Sequence, residues 1–307
     1  MSISNYSNQT ALGSLKMVES DQLHRRHPKW IKAKLPAGPN YQHLKLLMKD
    51  LNLNTVCEEA QCPNIGECWN DRTATFMILG DICTRSCMYC AVKKGKPGQV
   101  DTAEPYRLAQ AVRNLELNHV VITSVNRDDL ADGGASIFAE CIKSCQKQRP
   151  FCTIEVLIPD LQGDWRALTK IVSAKPNVLN HNMETVSRLY KRCRPRSIYQ
   201  RSLDLLVQTK KLAPDLLTKT GVMVGLGETF DELKKAIMDI RETQCDILTI
   251  GQYLPPSKKH LNLRRYYTPD EFNQLEEEAI NLGFAHVEAG PMVRSSYHAR
   301  RHIPPVS

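Results

Sequence analysis

The sequence predicts an α/β protein built on a partial (β/α)6 barrel of the TIM type, with an extension at each end of the chain. Six short apolar segments alternate with segments of helical periodicity, as in parallel strands joined by helices. Polar residues follow the predicted strands, where parallel α/β folds collect their functional groups. Six repeats fit an incomplete barrel better than a full eightfold one.

The six predicted strands are rich in β-branched and other apolar residues. Runs of this kind, bounded by polar or turn residues, are typical of strands buried in a parallel sheet. Repeated strand–helix units in one sheet predict right-handed crossovers. The predicted strands span residues 73–80, 119–125, 152–158, 177–183, 219–227 and 246–254.

Between the strands, apolar residues recur every three or four positions, which predicts helices packed on the sheet. A further helix precedes the barrel, with Leu44, Leu47, Met48 and Leu51 on one face. The predicted interstrand helices span residues 106–117, 136–148, 164–173, 202–213 and 229–242. The chain is therefore divided into an N-terminal extension (1–72), the barrel (73–255) and a C-terminal extension (256–307).

The composition is that of a globular protein, with 42% hydrophobic residues, 24% charged residues and a net charge of +8. No apolar run approaches the ~20 residues needed to span a membrane. Residues 1–22 have neither the apolar segment of a secretory signal nor the arginine content of a mitochondrial presequence. We therefore expect a cytoplasmic protein without a membrane partner, in which cysteines are more often metal ligands or core residues than disulfides.

Six of the eleven cysteines form two compact arrays. The segment CEEAQCPNIGEC has the spacing C-x4-C-x5-C, and CTRSCMYC, which follows the first predicted strand, has C-x3-C-x2-C. The arrays consist of Cys57, Cys62 and Cys68, and of Cys83, Cys87 and Cys90.

The other five cysteines are scattered. Cys141 and Cys145 lie one helical turn apart, which could indicate a metal-binding pair. No other ligand pattern surrounds them, so burial as small hydrophobic residues is the preferred interpretation. The scattered cysteines are Cys141, Cys145, Cys152, Cys193 and Cys245.

Zinc and iron–sulfur clusters are the competing interpretations of the two arrays. A structural zinc site uses four closed ligands, whereas each array has three thiols. Thiolates commonly hold iron–sulfur clusters, with looser spacing than zinc sites require. Three thiolates on a 4Fe-4S cluster leave one iron open to another molecule, so the arrays favour two such clusters.

The array with Cys83, Cys87 and Cys90, and with Tyr89 just before its last cysteine, resembles the signature of the radical S-adenosylmethionine (SAM) superfamily. The resemblance implies that the open iron binds the amino and carboxylate groups of SAM. It also implies that the reduced cluster cleaves SAM to a 5′-deoxyadenosyl radical. The position of the array after the first barrel strand agrees with this superfamily.

The earlier array and the segment RSSY (294–297) resemble the lipoyl synthase family, and the resemblance covers nearly the whole chain. Two residues depart from the expected apolar and small residues, Cys193 and Arg196, and neither is expected to touch a cluster motif. Further segments that resemble the family in its order are 27–36, 80–92, 123–135, 179–186, 225–229 and 251–261.

The resemblance implies insertion of sulfur at C6 and C8 of a protein-bound octanoyl chain, with two SAM molecules used per lipoyl group. It implies that an auxiliary 4Fe-4S cluster on Cys57, Cys62 and Cys68 is the sulfur donor. It also implies that the second serine of RSSY, Ser296, is the fourth ligand of that cluster. Ser295 is the alternative, being one residue away.

Polar residues near the ends of successive predicted strands are expected to line one mouth of the barrel. An aromatic ring beside the first cluster, that of Tyr89, is expected to pack near the adenine. We predict that the SAM pocket includes Tyr89, Ser124, Asn126, Glu155 and Asn182.

The resemblance implies carrier-protein substrates, namely octanoylated lipoyl domains of 2-oxoacid dehydrogenases and the glycine-cleavage carrier protein. It also implies an electron donor such as flavodoxin or ferredoxin. Such carriers tend to be acidic, and basic residues concentrate late in this chain, although a charge run is often only a solvated face. The basic residues are Lys258, Lys259, Arg264, Arg265, Arg294, Arg300 and Arg301.

Two other functions are compatible with the cysteine arrays. One is a different radical enzyme, such as a methylthiotransferase or a biotin-synthase-like enzyme, and the other is an electron carrier. A methylthiotransferase would be expected to carry an RNA-binding module, and no such motif is recognised, so no nucleic-acid partner is expected. A barrel with a polar mouth is more than electron transfer requires.

Overall fold

The computed structural model describes residues 27–32, 36, 39–59, 62–70 and 73–303. The predicted absence of a targeting signal in residues 1–22 and parts of both predicted extensions therefore lie outside the described residues. Within the described ranges the chain forms ten strands and ten helices.

The strands are β1 (Asn54–Thr55), β2 (Thr75–Ile78), β3 (Ile82–Cys83), β4 (Lys93–Lys94), β5 (His119–Ser124), β6 (Thr153–Leu157), β7 (Val178–Asn180), β8 (Leu217–Val224), β9 (Ile247–Gln252) and β10 (His286–Gly290). The helices are α1 (Pro39–Asp50), α2 (Val56–Glu59), α3 (Ile65–Asn70), α4 (Glu104–Asn114), α5 (Ala135–Gln148), α6 (Trp165–Ser173), α7 (Tyr190–Cys193), α8 (Tyr199–Leu212), α9 (Phe230–Glu242) and α10 (Pro269–Asn281). Short 3-10 turns are Leu161–Gly163, Ser187–Leu189 and Ala299–His302.

The main sheet confirms the prediction of a mostly parallel, open barrel. Its eight strands follow the order β1-β2-β5-β6-β7-β8-β9-β10, and no pairing between β1 and β10 closes it among the described residues. Strand β1 is antiparallel to β2, and every later neighbour pair is parallel. Helices α4, α5, α6, α8, α9 and α10 separate successive parallel strands, which gives six strand–helix units.

The seventh parallel strand, β10, is absent from the sequence-based prediction. It pairs with β9 along its whole length, from His286 opposite Ile247 to Gly290 opposite Gly251. Its sequence is HVEAG, and only Val287 in it is buried. The segment therefore lacks the apolar run by which the other strands were recognised, although it belongs to the same sheet.

The core consists of two clusters that lie along different parts of the sheet. Leu44 and Met48 of α1 are buried in the cluster that covers β2, β5 and β6, and Leu47 and Leu51 pack against it. This confirms the predicted apolar face of the N-terminal helix. A second cluster joins β8 and β9 to α9 and α10.

The scattered cysteines lie in these clusters, as expected for small hydrophobic residues. Burial raises the pKa of each thiol, and none of them has the ligand neighbourhood of a metal site among the described residues. The buried cysteines are Cys141, Cys145, Cys152, Cys193 and Cys245. No helix in the described ranges is long and apolar enough to cross a membrane.

Candidate functional site

The CTRSCMYC segment forms a loop directly after β2. Gly80 adopts a positive φ of 90°, which turns the chain out of the strand. Cys83 lies in β3, which pairs with β4, and the Gly95 amide donates to the Cys83 carbonyl at 3.0 Å. This pairing links the two ends of the loop, and Cys87 and Cys90 lie between them.

The segment just after β5 and the cysteine loop itself both bond to the first cysteine of the loop. The Asn126 amide donates to Cys83 Sγ at 3.3 Å, and the Arg85 amide donates to the same sulfur at 3.4 Å. The Asn126 carbonyl accepts both from the Thr84 amide and from the Thr84 hydroxyl, each at 3.0 Å. The backbone of Asn126 thus joins the cysteine loop to the carboxyl end of the sheet.

A buried arginine anchors the same loop. Arg85 donates to Asp128 at 2.7 and 2.8 Å and to Asp160 at 2.5 Å, and its side chain is only 2% exposed. Burial alone would raise the pKa of Asp160, but the hydrogen bond and charge of Arg85 lower it to about 2. Arg85 is not among the predicted site residues, because in the sequence it stands only as a spacer between two cysteines.

The expectation that Cys193 and Arg196 lie away from the cluster motifs is wrong. The Met88 amide donates to the Cys193 carbonyl at 2.9 Å, and Arg196 Nη1 donates to the Thr84 carbonyl at 3.2 Å. Both contacts use loop backbone between the cysteines, so the end of α7 and the segment after it support the loop.

The earlier array occupies α2, α3 and the turn between them. The Cys62 amide donates to the Cys57 carbonyl at 3.0 Å, and the Cys68 amide donates to the Asn64 carbonyl at 3.0 Å. These bonds turn the chain so that the three side chains line one small cavity. Its lining residues are Cys57, Cys62, Asn64, Cys68, Thr73, Thr75, Arg294, Ser296 and Tyr297.

Two adjacent serines of the C-terminal tail, residues 291–303 of the described chain, point in different directions. Ser296 lines the cavity of the earlier array. Ser295 instead donates to Asn182 Oδ1 at 2.9 Å, on the loop after β7. The Tyr297 amide donates to the Arg294 carbonyl at 2.9 Å, so RSSY forms a turn that directs the two serine side chains to different places. The geometry favours Ser296 over Ser295.

Two glycines let the tail cross the barrel strands. A Cβ on Gly251 of β9 would overlap the carbonyl oxygen of Val293. A Cβ on Gly221 of β8 would lie 2.9 Å from Ser295 Oγ and 3.0 Å from Asn182 Oδ1. Larger residues at these two positions would displace the tail from the barrel. The RSSY segment therefore reaches the cysteines through space that glycine leaves free.

Burial favours the protonated thiol in four of the six cysteines. It raises the pKa of Cys57 and of Cys90 to about 11 each, and it raises the pKa of Cys62 and Cys87. Without a metal these thiols keep their protons at neutral pH. Iron binding would replace those protons, because the thiolate is the form that binds metal.

Both donor sets fit iron–sulfur clusters. Each consists of three cysteines whose backbones are fixed by the hydrogen bonds above, and the cavity of the earlier set adds one serine hydroxyl. Soft thiolates suit iron–sulfur clusters, and the serine offers a harder oxygen donor.

The predicted SAM-pocket residues fall into three places. Tyr89 and Asn182 lie together near Cys87, where Asn182 Nδ2 donates to Glu184 at 3.2 Å. Arg194 Nη1 donates to the Asn182 carbonyl at 2.8 Å. Burial raises the pKa of Glu184, and Arg194, Asn182 and Tyr89 offset part of that rise. Glu184 and Arg194 were not among the predicted site residues.

Ser124 and Asn126 lie at the end of β5, beside Cys83. Ser124 Oγ and Asn126 Oδ1 are buried and have no hydrogen-bond partner among the described residues. Glu155 lies deeper, fully buried within β6. Both of its oxygens accept from Lys219 Nζ at 3.0 Å, and one also accepts from Asn180 at 2.8 Å.

The family models that match this chain cover residues of both cysteine arrays. Residues 77–240 match the radical SAM superfamily, and residues 3–62 match the N-terminal domain of lipoyl synthase. Lipoyl synthase of Rubrobacter xylanophilus is 56% identical over 272 residues, covering 89% of this chain and 85% of that protein. Lipoyl synthase of a Geobacillus species is 53% identical over 287 residues, covering 93% and 96% of the two chains.

Solved structures share the fold at much lower sequence identity. Methylornithine synthase superposes with a TM-score of 0.53 at 12% identity, covering 80% of this chain and 77% of that one. The FeFe-hydrogenase maturase of Carboxydothermus hydrogenoformans gives 0.54 at 14% identity, covering 82% and 73%. Together with the two cysteine sites, these matches show that the chain is a radical SAM enzyme and belongs to the lipoyl synthase family.

Proposed function

We propose that this enzyme inserts sulfur at C6 and C8 of an octanoyl chain held on a lysine of a carrier protein, and so forms the lipoyl group. The observation that carries the proposal is the cavity shared by Cys57, Cys62, Cys68 and Ser296. It is a second iron–sulfur donor set, joined through Ser295 and Asn182 to the mouth that holds the first.

The chemistry explains why two donor sets are needed. C6 and C8 carry unactivated C–H bonds that no side-chain acid or base can ionise, so a cofactor must carry this step. When bound, the first cluster would supply one electron for each SAM molecule that is cleaved, and two SAM molecules would be cleaved per lipoyl group. The second cluster would supply the sulfur. The protein's own task is to hold substrate, SAM and sulfur source close together in a site from which water is excluded.

The assignment of ligands follows the two donor sets. Cys83, Cys87 and Cys90 would hold the SAM-binding cluster and leave one iron open for SAM. Ser296 would complete the auxiliary set, because its side chain lines the cavity while Ser295 bonds to Asn182. A serine oxygen is a harder ligand than thiolate and would release its iron more readily once sulfur has left.

The mouth offers groups suited to SAM. The unpartnered buried oxygens of Ser124 and Asn126 support a role in binding a polar ligand, since such atoms are rarely left unsatisfied. Tyr89 and Asn182 line the same mouth beside Cys87 and Glu184. Glu155 would act on the pocket through its ion pair with Lys219, which occupies both carboxylate oxygens.

The proposed partners are octanoylated lipoyl domains of 2-oxoacid dehydrogenases and the glycine-cleavage carrier protein, with flavodoxin or ferredoxin as electron donor in the cytoplasm. Three exposed basic residues lie near the mouth: Lys258, Lys259 and Arg264. Their segment contacts the cysteine loop, where the Leu261 amide donates to the Met88 carbonyl at 3.1 Å. They are suited to meet an acidic carrier.

The remaining basic residues of the C-terminal segment have other surroundings. Arg265 pairs with Glu271 at 2.6 Å, and Arg294 lines the cysteine cavity. Arg300 and Arg301 are exposed on the 3-10 turn that packs near the start of β5 and β10. We therefore limit the proposed docking surface to Lys258, Lys259 and Arg264.

We also propose that the chain is divided by function into an N-terminal extension (1–72), a barrel (73–255) and a C-terminal extension (256–307). Both extensions would close the auxiliary site.

The test is anaerobic reconstitution with 34S-sulfide, followed by mass spectrometry of an octanoylated lipoyl-domain peptide. The proposal predicts a product that gains two 34S atoms and loses two hydrogens at C6 and C8, with two molecules of 5′-deoxyadenosine formed. A peptide without the octanoyl group is the control. SAM cleavage without sulfur transfer to the octanoyl peptide would instead indicate a different radical enzyme, and absence of SAM cleavage would indicate an electron carrier.

A further inference from the structure

One carboxylate on the last strand joins two histidines of the tail. Glu288 Oε1 lies 2.8 Å from His298 Nδ1, and Oε2 lies 2.7 Å from His302 Nε2. An ionised carboxylate can only accept, so both imidazole nitrogens donate to it. His302 is 5% exposed, which keeps its bond away from bulk water.

The histidines flank the turn that follows Ser296. His298 has a left-handed backbone with φ of 50°, and its ring stacks on Tyr297 with centroids 3.8 Å apart. Its other nitrogen, Nε2, lies 4.0 Å from Glu67 on α3, the helix that also carries Cys68. Glu288 therefore holds the tail two residues beyond Ser296, where it passes the cysteine helix.

The other end of the same segment is also tied down. Asn64 Nδ2 donates to the Met292 carbonyl at 2.6 Å, and the Val293 amide donates to the Gly290 carbonyl at 3.1 Å. Between these anchors the chain carries Ser296 into the cysteine cavity. Ser296 itself thus lies on a short span whose two ends are fixed by different parts of the molecule.

We propose that Glu288 is a positioning residue of the auxiliary site: by holding His298 and His302, it keeps Ser296 facing the three thiols. The inference rests on the proposed role of Ser296 as a ligand. Glu288 lies outside the cavity lining, so it acts through the tail and not on the cluster. Groups that orient a metal ligand in this way typically change metal affinity or activity about 10–100-fold when removed.

A bound metal ion is the competing explanation of the same side chains. One ligand atom each of His286, Glu288 and His302 lies within 4.8 Å of the other two. A divalent cation bound by these three side chains would hold the tail in place of the direct hydrogen bond between His302 and Glu288. The experiment therefore measures zinc as well as iron in the same samples.

The test compares Glu288→Ala and Glu288→Gln with Glu277→Ala, an exposed carboxylate on α10. Each full-length protein is reconstituted anaerobically with 57Fe. Four quantities are measured: the zinc content, the Mössbauer signature of the auxiliary iron, sulfur insertion, and SAM cleavage. Glutamine can accept from one histidine but not from both, so its effect should be smaller than that of alanine.

We expect Glu288→Ala to lower sulfur insertion about tenfold or more and to lose the oxygen-ligated iron signature. SAM cleavage should stay within about twofold of wild type, and Glu277→Ala should change nothing. If Glu288→Ala does not fold, the same split between insertion and cleavage is expected of Glu288→Gln. An unchanged auxiliary signature in a folded Glu288 variant would overturn the proposal, as would stoichiometric zinc in the wild type that this variant lacks.

Ser296→Ala separates failure of this inference from failure of the proposed ligand. A normal auxiliary signature in Ser296→Ala would remove the proposed ligand role and with it the basis for Glu288. A lost signature in Ser296→Ala with an intact one in Glu288→Ala would overturn only the positioning role.

Discussion

The two cysteine sites are assembled in opposite ways. The loop with Cys83, Cys87 and Cys90 is continuous in sequence and follows β2 directly, and Arg85 and the segment just after β5 support it. The cavity around Cys57, Cys62 and Cys68 is completed only by the tail, which crosses β8 and β9 from the other end of the chain. A site of the first kind is present once the barrel folds, whereas the second also needs the tail to dock.

The largest expected effect is that loss of one cysteine from either site abolishes a different activity. Cys87→Ala should abolish SAM cleavage, because it removes a ligand of the cluster that binds SAM, and should leave the auxiliary iron in place. Cys62→Ala should retain cleavage but insert no sulfur. The measurement is 5′-deoxyadenosine and lipoyl product from the two variants under the same reductant.

Cys141→Ala, in a buried core position, is the control for general damage to the fold. Retained SAM cleavage in Cys87→Ala, or full lipoyl product from Cys62→Ala, would show that the sites are not divided as described.

The second prediction concerns a substitution that should disturb only the docking of the tail on β9. Gly251→Ala places a Cβ against the Val293 carbonyl, so the tail must shift away from β9. Sulfur insertion should fall about 100-fold, as for a catalytic group misplaced by about 1 Å, while SAM cleavage persists. Gly98→Ala is the matched control, since a Cβ there meets nothing within 4 Å. Equal insertion rates in the two variants would mean that the tail is not required where we have put it.

The third prediction concerns the support of the local site. Arg85→Met leaves Asp128 and Asp160 without their buried partner and should lower the free energy of unfolding by about 3–5 kcal/mol. Arg188→Met, which breaks an exposed pair with Glu232, should lower the free energy of unfolding far less, because solvent screens that pair. Denaturant unfolding of the two variants measures the contrast.

The pH dependence of the Arg85 effect has a defined sign. The folded-state pKa of Asp160 is lowered to about 2, so its ionised form stabilises the fold above the ordinary carboxyl range and loses this effect as the pH falls through about 2. The difference between wild type and Arg85→Met should therefore shrink as the solution is acidified. A difference that grows on acidification would contradict the ion-pair explanation.

The smallest expected effect concerns the carrier. Reversing the charges of Lys258, Lys259 and Arg264 should lower kcat/KM for an octanoylated carrier several-fold at low salt and weaken its salt dependence. Reversing Arg300 and Arg301, near the strand starts, should change little. An octanoyl-lysine tripeptide controls for effects on chemistry. Parallel salt curves for carrier and tripeptide would remove the electrostatic part of the docking proposal.

Much of the fold could be predicted because its signals are local. Strands such as β5 and β9 are mostly apolar runs, and the six predicted strands and the five helices between them follow from such local patterns. Strand β10 could not be found in this way, since HVEAG is short and mostly half-buried. It becomes a strand by pairing with β9, which is a tertiary contact that the pattern of one segment does not contain.

The same distinction applies to the candidate site. The six proposed ligand cysteines were predicted from spacing and family resemblance, whereas Arg85, Glu184 and Arg194 were not among the predicted site residues. Their importance depends on partners distant in sequence, such as Asp160 for Arg85 and Asn182 for Arg194. The choice between two adjacent serines likewise depends on the path of the tail.

The most direct test of the account is the comparison of Ser296→Ala with Ser295→Ala in the 57Fe-reconstituted enzyme. The account predicts that Ser296→Ala loses the oxygen-ligated iron of the auxiliary cluster and most sulfur insertion, while SAM cleavage continues. Ser295→Ala should retain the auxiliary signature, because its hydroxyl bonds to Asn182 and not to the cavity. The reverse result, or loss of the signature in neither variant, would contradict the claim that the tail completes the auxiliary site through Ser296.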